Sequence, residues 1–568
     1  MEKRWVLHAD RDQDSVKNLS SELNISTHLA ALLVTRGIST FDKAKQFFRG
    51  GLKDLHDPFL MKGMDKAVNR LGEAISDQQR ILVYGDYDVD GTTSVAMVYD
   101  FLIGIYNPSK LDYYIPDRYS EGYGLSEKGV TWAANNNISL IITLDCGIKA
   151  HKIVSLANSQ DIDVIICDHH LPSDTLPPAF AVLDPKQSDC NYPYKELSGC
   201  GVGFKMLQGF CIQNTIDSKY LFNYLDLLAT SIACDIVPIT GENRILARYG
   251  LHKINRNPSP GIKSLIEVAR LRNEIKVSDL VFYIGPRINA MGRLKHAKES
   301  VRLLAGGVKE NLAGFANDLD VTNQDRKDYD HQITEMALEM IKSDESSKDR
   351  KSTVLFDSNW HKGVVGIVAS RCTEHYYKPT IILTESNGKA TGSARSVEGF
   401  DINSAISHCH ALLDQYGGHR YAAGLSLPLE NVEAFKVAFE KTVAARISKD
   451  QLIPKLYVDA EVELDFIRFK VFDIIQQMGP FGPNNQNPCF LTKGLSSTGR
   501  LRIIKEDHVK MSVTKNGFIK EAIAFNAKEW IEQLQSGLEF DALYNIEIND
   551  FRGYKTLQLV IKDLKFKE

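Results

Sequence analysis

The chain has 568 residues, too many for one hydrophobic core and enough for roughly three or four domains. Apolar residues make up 43% and charged residues 25%, and the net charge of −4 excludes a protein that coats nucleic acid over its whole surface, while leaving room for a local basic groove. No apolar run reaches membrane-spanning length, the opening MEKRWVLHADRDQDS has no apolar signal region, and nine scattered cysteines include no CxxC pair. A cytoplasmic protein with reduced thiols is expected.

Residues 1 to about 60 read as a polar helical lead-in, with an amphipathic piece near Thr27 to Arg36. From about 61 to 270, short apolar runs alternate with helical patterns. Ile81 to Val83, Leu111 to Ile115, Leu140 to Leu144 and Val164 to Cys167 read as strands, and a helix is predicted from about Thr92 to Ile105. Such alternation predicts an α/β domain with a parallel sheet and crossover helices. The strands run into chemistry. ILVYGDYDVDGTTS (81–94) delivers Asp86, Asp88 and Asp90 in one turn, LIITL runs into Asp145-Cys146-Gly147, and VIIC runs into Asp168-His169-His170. The carboxyl ends of strands are where open α/β sheets place ligands.

Carboxylates this crowded repel one another unless a cation or strong donors neutralise them. Hard oxygen ligands suit Mg²⁺ or Mn²⁺, and imidazole suits Mn²⁺ or Zn²⁺. An EF-hand is excluded, because Met97 stands where that loop requires glutamate. Asp235, beyond an apolar helix and before a proline turn, is a further acidic candidate. Gly199-Cys-Gly-Val-Gly-Phe-Lys205 imitates a phosphate loop but lacks its GK[ST] ending, so it reads as a turn opening a buried helix. His408-Cys409-His410 reads as structural, since consecutive helical positions point in different directions.

Downstream, GPRINAMGR (285–293) reads as a glycine-punctuated turn offering Arg287 and Arg293, a polar helix follows to about Lys342, and ESSKDRKS (345–352) reads as a linker. Thr353 to Phe356 and Thr380 to Leu383 read as strands. GSARS and GGHRYAAG bring Ser393, Arg395, His419 and Arg420 beside glycines that permit close approach of a ligand. From about 452 the chain turns strand-rich, with runs at Lys455 to Val462, Gly499 to Ile504, Val509 to Thr514, Ile519 to Phe525, Tyr544 to Asn549 and Thr556 to Ile561, the pattern of a small barrel.

GDYDVDG (85–91), LDCG (144–147), DHH (168–170), LDP (183–185), CDIVP (234–238), GPRINAMGR, WHKGVVGIVASR (360–371), GSARS, GGHRYAAG and FGPNNQNPCF (481–490) occur in this order. With that ordered set the sequence resembles the DHH phosphoesterase superfamily, and within it the RecJ single-strand-specific exonucleases. The resemblance covers nearly the whole chain. It implies a helical lead-in over 1–60, a DHH catalytic domain over 61–285, a helical connector over 286–352, a smaller α/β DHHA1 substrate-binding domain over 353–448 and an OB-fold barrel over 452–568.

By the same resemblance Asp88, Asp90, Asp145, His169 and Asp235 ligate two divalent cations, Mn²⁺ or Mg²⁺. Asp86, Asp168 and His170 are the implied catalytic or supporting residues, with His170 directed at the scissile phosphate or leaving group and Asp86 orienting a ligand. Arg118, Arg287, Ser393, Arg395, His419 and Arg420 are implied substrate contacts, and Ser393, Arg395 and His419 are expected to face the metals across a cleft. In the barrel, Phe481, Phe490, Lys505, Lys510, Arg552 and Tyr554 are candidate single-strand contacts.

The activity implied is metal-dependent hydrolysis of single-stranded DNA from the 5′ end to mononucleotides, in recombination and repair. The resemblance supplies the polarity and the DNA preference. It suggests a monomer whose partners are single-stranded DNA, a single-strand-binding protein and a helicase, with no membrane. A phosphodiesterase for short oligonucleotides or cyclic dinucleotides fits the C-terminal barrel less well. A non-catalytic single-strand-binding scaffold should have lost its acidic positions, yet Asp86, Asp88, Asp90, Asp145, Asp168 and Asp235 all stand.

Overall fold

Four of the apolar runs become neighbouring strands of one parallel sheet, and a fifth strand extends it. The computed structural model describes residues 3–8, 11–305 and 311–567, so residues 306–310 of the expected connector lie outside the described residues. The chain falls into two compact units. One comprises Asn289–His296 and Asn317–Leu456 with the first residues to Trp5; the other comprises Val6–Ile288, Ala297–Ala316 and the residues from Tyr457 onward.

After a short strand, β1 (Arg4–Leu7), come three helices, α1 (Gln13–Leu23), α2 (Thr27–Thr35) and α3 (Phe41–Arg49). Asp12, Ser26 and Thr40 cap them by accepting backbone N–H groups. These lead-in helices pack into a core shared with distant parts of the chain. Val16, Leu19, Leu29, Leu32 and Leu33 share one core with Phe490, Val509, Phe540 and Tyr544 near the other end of the chain. The apolar stripe of an amphipathic helix must be buried against something, and here its partner lies more than 400 residues away.

After α4 (Met64–Ser76) the central sheet is built from β2 (Ile81–Gly85), β3 (Leu111–Tyr114), β4 (Leu140–Leu144), β5 (Asp163–Cys167) and β6 (Ala181–Leu183). Its order is β3-β2-β4-β5-β6, and every pairing is parallel. β2 and β4 are buried at every position, as a sheet covered on both faces requires. The crossovers use α5 (Val89–Ile103), α6 (Glu127–Asn135) and α7 (His151–Asn158). α5 starts three residues earlier than its apolar pattern indicated, because the Asp88 carboxylate accepts the Gly91 N–H at 3.0 Å and caps it. Beyond the sheet follow α8 (Gly199–Gln213), the short α9 (Ser218–Leu221) and α10 (Leu225–Cys234). α5, α8 and α10 pack on one another and are buried on nearly all sides, which is why none shows a polar face.

GPRINAMGR is a helix, Gly285–Leu294, and not the turn expected from its glycines. The π-helical turn Leu280–Ile284 runs straight into it, so Pro286 lies inside a continuous helical run, just after the Gly285 N–H reaches back to the Leu280 carbonyl. A 32-residue helix, Leu312–Ser343, follows. The smaller unit carries a five-stranded sheet of β7 (Thr353–Phe356), β8 (Thr380–Ser386), β9 (Lys389–Arg395), β10 (Gln415–His419) and β11 (Ala422–Pro428) in the order β10-β11-β9-β8-β7. Only β7 and β8 pair in parallel. The helix Val365–Tyr376 packs on β8 and β9, and buried Asp330 of the long helix accepts two hydrogen bonds from Arg371, at 2.9 and 2.8 Å. His408 and His410 are exposed and outside every ligand cluster found among the described residues.

The C-terminal strands are β12 (Lys455–Val458), β13 (Ala460–Glu461), β14 (Phe490–Ile504), β15 (His508–Lys515), β16 (Phe518–Ala524), β17 (Phe540–Phe551) and β18 (Tyr554–Phe566). β14 pairs with both β15 and β17, and β16 pairs with β18, closing β14 to β18 into a five-stranded barrel. Phe490 is fully buried inside it and is a core residue, not the strand contact expected. Phe481 packs half-buried against the same core, Lys510 is half-buried, and Lys505, Arg552 and Tyr554 are exposed.

Candidate metal centre

Strand register creates the site. Gly85, Leu144, Cys167 and Leu183 stand opposite one another along β2, β4, β5 and β6, and each is followed immediately by an aspartate. Asp86, Asp145, Asp168 and Asp184 therefore form a row beyond the carboxyl edge of the sheet. Asp184 is the member the sequence reading quoted only as part of LDP. It is buried, and burial pushes it up to about 7.

Close backbone packing brings the remaining acids to this row. A Cβ at Gly91 would fall 2.4 Å from the Asp86 carbonyl oxygen, and one at Gly199 would fall 2.5 Å from the Asp145 Cβ, so both positions exclude any larger residue. The start of α8 does cradle an anion, and that anion is protein. The Asp90 carboxylate accepts the N–H groups of Gly199 and Cys200 at 2.6 and 2.8 Å and the Ser231 hydroxyl at 2.7 Å. Asp145 adopts a left-handed backbone at φ +60° and donates its N–H to the Cys167 carbonyl at 2.9 Å.

Four of the five expected ligands meet at the imidazole of His169. Its Nε2 lies 3.2 Å from Asp145 Oδ1, 3.5 Å from Asp235 Oδ2 and 3.8 Å from Asp90 Oδ2. Two sets of three groups have ligand atoms within 4.8 Å of one another, Asp145 with His169 and His170, and Asp90 with His169 and Asp235. Asp145 Oδ1, Asp235 Oδ2 and both His169 ring nitrogens are buried without a hydrogen-bond partner. Orphaned buried polar atoms are costly, and a divalent cation bound to oxygens and an imidazole would satisfy this cluster. The residues fit Mn²⁺ or Mg²⁺. Asp88, the fifth expected ligand, raises Asp86, Asp145 and Asp235 by its charge while it caps α5.

Electrostatics separates the groups into two kinds. Burial, then the charge of Asp90, pushes Asp88, Asp145 and Asp235 above the usual carboxylate range. Burial and Asp88 do the same to Asp86, which accepts the Gly124 N–H at 3.3 Å. Burial lowers His169 to about 4, leaving it neutral and able to ligate. His170 goes the other way, because its 2.8 Å hydrogen bond to Asp168 and the nearby acids outweigh burial and raise it. Asp168, with burial overcome by His170, stays at about 2, and it also accepts the Ile148 N–H at 2.9 Å.

The sequence reading missed Tyr123, whose hydroxyl donates to the Asp145 carbonyl at 2.6 Å and lies 3.3 Å from His170 Nδ1. Tyr123 lies in IPDRYSEGYG (115–124), the same segment that carries Arg118. The Arg118 guanidinium lies over the Tyr87 ring at 4.9 Å and its charge acts on Asp86. Arg287 is only 7% exposed and donates to the Tyr283 carbonyl at 2.7 Å from within its helix.

A separate group of donors lies in the smaller unit. A Cβ on Gly366 would lie 3.0 Å from Arg395 Nη2 and 3.2 Å from Ser393 Oγ. Both donors thus overlie the first turn of the helix Val365–Tyr376, whose amino end favours anions. His419 is exposed at the end of β10, and Arg420 donates to the Gly399 carbonyl at 2.8 Å.

Comparison with known proteins adds the family. The DHH family, N-terminal domain, matches residues 80–232, the DHHA1 domain matches 349–445 and the RecJ OB domain matches 458–563. The single-stranded-DNA-specific exonuclease RecJ of Bacillus subtilis is 34% identical over 569 residues, an alignment covering all of this chain and 71% of that one. The chain belongs to the RecJ family. Escherichia coli RecJ, also a single-stranded-DNA-specific exonuclease, is 33% identical over 582 residues, with 99% of each chain covered. RecJ of Thermus thermophilus, crystallised with Mn²⁺, matches all of this RecJ-family chain over 80% of its own, at 26% identity and a TM-score of 0.85. Among the described residues no helix is long and apolar enough to cross a membrane.

Proposed function

We propose that this chain is a 5′-to-3′ exonuclease that hydrolyses single-stranded DNA to mononucleotides in recombination and repair. The observation that carries the reading is the convergence of partnerless Asp145 and Asp235 oxygens on a neutral His169. Asp88, Asp90, Asp145, His169 and Asp235 would hold two divalent cations, Mn²⁺ or Mg²⁺. Cations bound there supply an activated water and offset the charge that develops on a phosphodiester.

The chain's own groups then divide the work. Asp168 favours the protonated form of His170, from which His170 donates to a phosphate oxygen or to the departing 3′ oxygen. Asp86 orients the ligand turn from behind. Ser393, Arg395 and the amino end of the Val365–Tyr376 helix capture the terminal 5′ phosphate, since guanidinium and hydroxyl donors over a helix terminus suit that group. Arg118, Arg287, His419 and Arg420 contribute along the strand, and the barrel from about 452 holds the strand beyond. The protein acts in the cytoplasm as a monomer, with a single-strand-binding protein and a helicase as partners. The limits 61–285, 286–352 and 353–448 mark its catalytic, connecting and substrate-binding parts.

The test is an assay with end-labelled DNA. A 5′ label should leave as a mononucleotide from single strands at once, while a 3′ label should persist until the strand is consumed. Duplex DNA should resist, and EDTA should abolish release. Turnover of a cyclic dinucleotide with intact long strands would replace this reading by the small-substrate one.

A further inference from the structure

Ile236 follows Asp235 directly, and its backbone lies in the left-handed region at φ +61°. It is the only aliphatic residue in that region among the described residues. A β-branched side chain there is strained, and the position just past a helix C-cap is where glycine or asparagine normally relieves that strain. Nor does burial compensate, because Ile236 is 66% exposed. The fold alone would favour glycine at this position. Strain kept beside a functional group points to a use for the side chain.

A second aliphatic side chain is exposed next to the same cluster. Leu171 follows His170 directly and is 63% exposed. Each of these two aliphatic groups is thus one residue from a member of the His169 cluster, His170 or Asp235. Cations and their ligands grip the phosphate of a nucleotide, whereas an aliphatic face offers contact to the face of its base. That contact needs an unpaired base, because the faces of paired bases are taken up by stacking.

We propose that Ile236, together with Leu171, forms an apolar rest for the base of the nucleotide whose phosphodiester is being cut. Ile236 is then a positioning residue that selects unpaired DNA at the metal centre. The inference rests on the nuclease reading above.

The test uses the full-length protein with Mn²⁺ and 5′-phosphorylated single strands, either normal or abasic at the terminal nucleotide. Cleavage of the normal strand by the wild type is the control, and its failure would remove the nuclease reading itself. Given that control, Ile236→Gly should lower kcat/KM on normal strands about tenfold, ~1.4 kcal/mol. Its melting midpoint should match or exceed the wild type. Ile236→Asn, which suits the left-handed backbone but is polar, should lose as much, and Ile236→Leu should retain most activity. On the abasic strand the wild type should fall to the level of Ile236→Gly, and the variant should show little further loss. Equal rates for Ile236→Gly and wild type on normal strands would overturn the proposal. So would an undiminished tenfold gap on the abasic strand.

Discussion

Asp168 Oδ1 lies 2.8 Å from His170 Nδ1, while His169, one residue away, has no hydrogen-bond partner on either ring nitrogen. Adjacent histidines are thereby pushed in opposite directions, one toward its protonated form by a carboxylate and the other toward its neutral form by burial.

The first expectation concerns that pair. Asp168→Asn removes the charge that raises His170, so His170 loses its proton at lower pH. The alkaline limb of the kcat/KM profile should move toward acid, and kcat near neutrality should fall roughly 10²- to 10⁴-fold, the usual worth of a positioned proton donor. Rates measured across pH with Mn²⁺ decide it. An unmoved alkaline limb would show that His170 is not the group titrating there.

Metal removal should reverse the pH dependence of stability. Asp86, Asp145 and Asp235 are raised in the folded chain, first by burial. A raised carboxyl favours the fold fully only below its unfolded value of about 3.9, and that contribution is lost as pH rises. The EDTA-treated protein should therefore melt at lower temperature from about pH 5 to pH 8. Mn²⁺ should suppress the decline and release protons on binding. Thermal melts with and without Mn²⁺ test this; a melting midpoint that climbs with pH in EDTA would contradict it.

Ligand substitutions should separate chemistry from folding. Asp88→Ala and His169→Ala should abolish hydrolysis at limiting Mn²⁺ while leaving the circular dichroism spectrum unchanged. His169→Ala should also weaken Mn²⁺ binding measured by calorimetry, since both ligand sets include that imidazole. Near wild-type turnover by a folded variant would defeat the assignment.

Gly91→Ala should damage the site through the backbone. The added Cβ would meet the Asp86 carbonyl oxygen at 2.4 Å and its nitrogen at 2.6 Å. Relief by backbone movement should cost ~1–3 kcal/mol and displace Asp86 and Asp88 together. Denaturant melts and Mn²⁺ titrations should both register the change, and an unaltered Mn²⁺ affinity would show that the turn tolerates a methyl group.

Arg395→Ala should act on strand ends. Charge-assisted hydrogen bonds worth ~1.5–3 kcal/mol imply a loss of roughly tenfold to a hundredfold on 5′-phosphorylated oligonucleotides. Substrates with a 5′-hydroxyl should be affected much less. Equal slowing of both would make Arg395 a general backbone contact.

What could be read from the sequence follows from where the determining contacts lie. The strands ending at Leu144 and Cys167 were legible because an apolar run stops abruptly at an aspartate, a purely local signal. The start of α5 was misplaced because Asp88 serves the turn and caps the helix at once. Gly285 and Pro286 suggested a turn, yet the π-helical turn Leu280–Ile284 just before them carries the helix through. The hydroxyl of Ser231 and the N–H groups of Gly199 and Cys200 reach Asp90 from more than 100 residues away, and no local pattern announces them. Phe490 looked like a stacking aromatic, but barrel closure turned it inward.

The core that joins Leu32 to Phe490 also sets an order of events during synthesis. At about 5–20 residues per second, roughly 20–90 seconds separate the appearance of those two residues at the ribosome. Throughout that interval α1 and α2 have emerged but their partner strands do not yet exist. Leu19, Leu29 and Leu32, fully or almost fully enclosed in the finished protein, must wait uncovered. The nascent chain therefore carries an adhesive amino-terminal segment until its last strands arrive, a natural point for a chaperone to hold it.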